Sequence, residues 1–165
     1  MKTIPTLVAT FLIVCHAGVA KDENGMRVEV TKSTISNDDP DRRGYLEGVD
    51  RTLGLKVQAK NISMKPFDVG ELEWIIIIER WGSSTQRLER YKGTQKFDPL
   101  KPGESLNLTV GKSSIEGYKG LGKQYQDKIE AWRVIIRHLG VDTITLVSGS
   151  AFDRANSKAK DASKD

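Results

Sequence analysis

The chain has one cysteine, Cys15, and two histidines, His16 and His138, in 165 residues. Cys15 and His16 both fall in Met1 to Ala20, a stretch laid out like a secretory signal. Lys2 gives it a positive start, and Ile4 to Val14 is mostly apolar. Gly18-Val19-Ala20 then sets small residues before the polar Lys21-Asp22-Glu23-Asn24. Cleavage after Ala20 would leave a mature chain without a thiol, which excludes disulfides, a cysteine nucleophile and thiolate metal sites. One remaining imidazole, His138, cannot assemble a histidine-rich zinc site, and its place before Gly140 reads as an exposed turn. No Gly-x-Ser-x-Gly segment lifts a serine nucleophile, and no pair of carboxylates stands out for glycoside hydrolysis. The sequence thus predicts no catalytic residue, no metal and no cofactor.

Other things are scarce too. No apolar run approaches the roughly 20 residues a membrane helix needs, so no span is expected once the signal is removed. The formal net charge of +4, from 26 basic and 22 acidic residues, is small and scattered, which argues against nucleic acid as a partner. Asp39, Asp41, Gly44 and Asp50 partly imitate a calcium loop. Arg43 takes the place of an oxygen ligand and Asp50 that of the longer glutamate, so an ordinary solvated loop is expected. Gly117 to Lys123 has the glycines and lysines of a phosphate cradle without its spacing, and reads as an inter-strand loop within a long connection, Gly111 to Gln126. Tyr118, Lys119, Lys123 and Tyr125 could make that loop an adaptable recognition tip. Asn61-Ile62-Ser63 and Asn107-Leu108-Thr109 match a glycosylation pattern and carry no further weight.

What the chain does have is Glu71 to Trp81, with four isoleucines in a row between Trp74 and Trp81. Isoleucine is β-branched and suits a pleated surface, so the run predicts a central strand buried on both faces. Alternation sends Leu72, Trp74, Ile76 and Ile78 to one face, and Glu73, Ile75, Ile77 and Glu79 to the other. Similar alternation marks Met26 to Ser36, Leu53 to Ser63, Leu106 to Val110, Lys128 to Leu139 and Val141 to Ser148, with Gln86 to Lys92 as a short charged edge. About seven strands with turn signals between them predict an all-β, antiparallel sandwich in a single domain over residues 21–150. Residues 151–165 form a polar tail, a frayed helix or disordered, with Phe152 its one large apolar group.

Trp74 in the third strand, the Leu100-Lys101-Pro102-Gly103-Glu104-Ser105-Leu106 turn and Trp132 in the penultimate strand resemble bacterial immunoglobulin-like domains of exported proteins. The chain departs from antibody-like subtypes in lacking an inter-sheet cysteine pair and a Tyr-x-Cys corner. The resemblance implies that the third strand pairs with the penultimate one, and that both tryptophans point inward. It is also similar in appearance to surface-appendage or pilus-associated proteins. Ile75 and Ile77 would then lie on the outer face beside Ile135 and Val147. Such a stripe suits a protein partner, self-association, or cover by the tail through Phe152; a different pairing order would make all four isoleucines internal. The expected function is a non-enzymatic exported module, periplasmic, surface-bound or secreted, acting through protein contact. The alternative is a carbohydrate-binding sandwich that uses Trp81, Tyr91 and Tyr118.

Overall fold

The computed structural model describes residues 18–37, 42–43, 46–81, 87–120, 123–138 and 141–162. In chain order these form β1 (Val19–Glu23), β2 (Met26–Asn37), β3 (Arg42–Arg43), β4 (Leu46–Asn61), β5 (Gly70–Arg80) and β6 (Arg87–Phe97). There follow β7 (Ser105–Gly120), β8 (Lys123–Gln126), β9 (Lys128–His138), β10 (Val141–Val147), α1 (Ala151–Lys158) and β11 (Lys160–Asp161). One sheet has the order β1-β2-β4-β7-β8, with β3 beside β4; the other has the order β10-β9-β5-β6-β11. Every pairing is antiparallel except that of β11 with β6. The expectation of about seven strands falls short: among the described residues nine strands have four residues or more, and β3 and β11 have two each.

The two sheets share one apolar core. Met26, Val28 and Val30 of β2 and Leu55, Val57 and Ala59 of β4 are buried with Leu72, Ile76 and Ile78 of β5 and Trp132, Val134 and Ile136 of β9. The alternate positions of each strand supply these residues, as a half-buried sheet requires. β5 lies in the middle of its sheet, so its isoleucine run meets β6 on one side and β9 on the other. Its second face carries Ile75 and Ile77, which pack with Ala131, Phe152, Ala155 and Ala159 in a separate buried cluster.

Several expectations need correction. The connection from Gly111 to Gln126 is a hairpin: β7 runs unbroken to Gly120 and β8 pairs back from Lys123. A glycine read as a break is instead a bulge, because Gly111 and Lys112 of β7 face only Gly54 of β4 between the pairs Leu55–Val110 and Leu53–Ser113. The charged edge strand is longer than expected, since β6 reaches Phe97. His138 is not an exposed turn residue. It ends β9 with its ring 5.3 Å from that of Phe67, edge to face. Residues 151–158 are a helix packed on β9 and β6, with Phe152 and Ala155 buried. The expected leader lies outside the described residues up to position 17, and its last two residues, Val19 and Ala20, pair with Val30 and Glu29 in β1. Among the described residues no helix is long and apolar enough to cross a membrane.

Candidate functional site

The outer face of the β5 sheet holds most of the sequence-predicted interface. Ile75, Ile77 and Ile135 are buried, and Val147 is partly exposed. The helix α1 covers Ile75 and Ile77 from within the same chain. Two arginines fasten that cover. Arg90 of β6 donates to the carbonyls of Asn156 and Ala159 at 2.7 Å each, placing a cation at the negative end of the helix. Arg133 of β9 sets its guanidinium 5.3 Å from the Phe152 ring centre, a cation–π contact. Its Nη2 lies 3.9 Å from Glu73, whose other oxygen accepts a hydrogen bond from Arg137. Of the four residues, then, three are internal to this fold and one reaches the surface.

A groove of about 340 Å³ opens between α1 and the sheet, with Glu79 and Glu130 on the sheet side and Arg154 and Lys158 on the helix. Its acids already have a cation: Lys128 Nζ lies 2.7 Å from Glu79 and 3.2 Å from Glu130.

At the far end of β5, Arg80 sits in a cage. It donates to Glu89 at 2.8 Å, to Asp127 at 2.7 Å, to the Tyr91 hydroxyl at 2.6 Å and to the Ser114 carbonyl at 2.8 Å. Burial opposes the charge on Arg80, but these partners outweigh it and push its proton affinity up. Burial likewise acts to raise the Glu89 carboxyl, while hydrogen bonds from Arg80, Tyr91 and Arg87 hold it below its ordinary range. Asp127 also accepts from the backbone N–H of Trp81 at 2.7 Å. With every charge matched locally, the arrangement ties β5 and β6 to β7 and to the chain just before β9. Tyr91 is consumed by this cage, so of the aromatics expected for glycan binding whose side chains are described, Trp81 is the exposed one. The side chains of Tyr118, Lys119, Lys123 and Tyr125 lie outside the described residues; their backbones pair in the β7–β8 hairpin. The loop that partly imitates a calcium site lies largely outside the described residues, and among those described no acidic or histidine cluster could hold a metal.

Sequence reasoning missed the turn between β4 and β5. Asn61 is fully buried at its base. Its Nδ2 donates to the carbonyls of Lys65 at 2.8 Å and Leu100 at 2.9 Å, and its Oδ1 accepts from the N–H and hydroxyl of Ser63. Phe67 pairs with Leu100 through two backbone bonds of 2.9 Å, and the Ile62 N–H donates to the Gly25 carbonyl. On this pinned backbone stand Met64 at 94% exposure, Val69 at 55% and Ile62 at 45%. An available signal was the presence of three large apolar residues in a segment that alternation assigned to no buried face.

No protein-family model matches the chain, and no curated protein matches it. A protein from Akkermansia muciniphila, known from its crystal structure, is similar over 88% of this chain and 86% of its own, at 15% identity and a TM-score of 0.40. A β-glucosidase from Listeria innocua, solved with gluconolactone and with isofagomine, aligns over 73% of this chain at 18% identity and a TM-score of 0.26. The alignment spans 16% of that enzyme's length. Both likenesses are too coarse to transfer a function.

Proposed function

We propose that the protein is a non-enzymatic exported module that works through contact with another protein, as a subunit of an envelope or surface assembly. The observation that carries this reading is the pinned turn bearing Ile62, Met64 and Val69. A backbone pinned in this way loses little conformational freedom on docking, and burying each apolar side chain contributes about 1.5–3 kcal/mol before its own rotamer cost. Around them Lys65 and Lys101 alternate with Asp68, Asp98 and Glu104. A mixed-sign rim suits the polar border of a protein interface better than an anionic bilayer, which would favour cations alone. The chemistry of the other polar groups agrees, since the Arg80 cage and the Glu73–Arg133–Arg137 group use their charges on each other. We also read the sandwich as immunoglobulin-like: β10-β9-β5 and β2-β4-β7 divide the strands between sheets as that fold does. Kinship with surface appendages rests on the sequence resemblance.

The test is the size of the protein recovered from its producing cells, measured by size-exclusion chromatography with light scattering. Wild type and Met64→Leu are expected to elute as an assembly, and Met64→Asp as a folded single chain. An assembly unchanged by Met64→Asp removes the turn from the interface, and a wild type that is a single chain removes the subunit reading. Among the described side chains a glycan-binding role is favoured by Trp81, and it would replace the proposal if Trp81→Ala abolished binding to an oligosaccharide array.

A further inference from the structure

The outer edge of β6 offers a second contact of different chemistry. Its inner edge is paired with β5 over the whole strand. On the outer edge, Lys160 and Asp161 of β11 lie opposite Glu89 and Arg90, and the Ala162 N–H donates to the Arg90 carbonyl at 3.0 Å. From Tyr91 to Phe97, no strand among the described residues pairs with it. A row of backbone donors and acceptors left open in this way is a template for another strand.

The short strand β11 displays what this edge accepts. It is extended, it runs parallel to β6, and it carries a carboxylate: Asp161 lies 3.3 Å from Arg90 and 3.3 Å from Lys92. Further along the same face come Thr94 and the exposed Lys96. Facing them on β5 are Glu73, already held by Arg137 and Arg133, and Glu71. β6 as a whole has Arg87, Arg90, Lys92 and Lys96 against a single acid, Glu89, which the Arg80 cage engages. Two copies set edge to edge would bring like charges together, so the strand opposes pairing with itself while favouring an acidic visitor.

We propose that the β6 edge from Tyr91 to Phe97 accepts an extended acidic segment of a partner protein as an added parallel strand, continuing the pairing that Lys160 and Asp161 begin. This rests on the reading of the molecule as a protein-contact module, and it uses residues separate from the Met64 turn.

The experiment titrates the purified protein with a synthetic peptide of about ten residues alternating aspartate and valine, long enough to span the open edge at ~3.3 Å per residue. Two controls are a lysine–valine peptide and the acidic peptide with alternate backbone nitrogens methylated. Amide exchange and chemical shifts are followed by NMR. In the free protein, amides between Tyr91 and Phe97 are expected to include fast-exchanging ones that the acidic peptide alone protects, less strongly at high salt. Lys92→Glu with Lys96→Glu is expected to weaken the acidic peptide roughly tenfold, and the paired glutamine variant by a smaller factor. Amides already protected without peptide, protection elsewhere, equal binding by the methylated peptide, or affinity unchanged in the glutamate variant would each overturn the proposal. Met64→Asp is expected to leave peptide binding as it is. Loss of cellular assembly in that variant and failure of peptide binding therefore report on separate claims.

Discussion

Gly111 and Glu89 each do something their residue type alone does not announce. Gly111 has a φ of +63°, and a Cβ there would stand 2.0 Å from the Ile76 side chain, so the bulge and the core both require its bare backbone. Glu89 is a buried acid at 8% exposure, made tolerable by Arg80, Arg87 and the Tyr91 hydroxyl. Its folded carboxyl titrates below the ordinary value of 4.5, against the pull of burial. A lowered acid stabilises the fold fully above its unfolded value, and that contribution fades as pH falls through the folded one. Glu89→Gln is therefore expected to be clearly less stable than wild type at about pH 7, with the gap narrowing towards about pH 3. Urea unfolding of both proteins at the two pH values measures this. A gap that stays constant would mean that Glu89 acts through shape and hydrogen bonding, not charge.

Among the elements, α1 is the one whose existence depends most on its neighbours. Eight residues are too few for a helix stable by itself in water, and Ser150 supplies no side-chain cap. Phe152 against Ile75, Ile77 and Arg133 supplies the stability it lacks. Phe152→Ala is expected to cost about 3 kcal/mol, near the lower end for a buried phenylalanine because the helix can lift away and leave no rigid cavity. The uncovered isoleucines should then bind a hydrophobic dye, and protease should cut the tail faster in the still-folded sandwich. Unchanged dye binding would show that the helix stays seated without its aromatic anchor. The sequence made the core-facing sides of the strands legible, because alternation in β2, β4 and β5 is unbroken where their inward residues lie. It was misleading where a bulge shifts parity. In β7 the inward residues pass from Leu106, Leu108 and Val110 to Ser113 and Ile115, across the bulge at Gly111. In β9 they pass from Ile136, Val134 and Trp132 to Ile129, because Glu130 is an extra residue between the pairs Ile77–Ala131 and Ile78–Ile129. Strict alternation counted from Trp132 would turn Ile129 outward; the bulge turns it in. The helix was harder to foresee, since its single aromatic has meaning only against isoleucines some 75 positions earlier. The pinned turn was illegible for a related reason: its rigidity comes from Asn61 reaching Leu100, a contact that no local pattern encodes.

For the whole molecule, the two sheets meet through a continuous apolar core, with a polar clamp towards each end. Asn61 secures the end where β5 begins, and the Arg80 cage secures the end where it finishes. An extended strand rises ~3.3 Å per residue, so the clamps stand on the order of 30 Å apart along β5. Asn61→Asp keeps the acceptor for Ser63 but replaces the donor to Lys65 and Leu100 with an oxygen that faces their carbonyls, a buried polar mismatch of about 1–3 kcal/mol. Arg80→Met leaves Glu89 and Asp127 without their shared cation at roughly 2–4 kcal/mol, a buried-pair cost discounted for the partial exposure of the arginine. The clamps share no partner, and sites this far apart couple only if an intervening element has two arrangements. Among the described residues one continuous apolar cluster lies between the clamps. The double variant is therefore expected to lose the sum of the two single costs to within about 0.5 kcal/mol, and to unfold in one transition with an unchanged urea slope. If its loss falls short of that sum, or its unfolding divides into two steps, the ends of the sandwich would be separate cooperative units joined by the isoleucine strand.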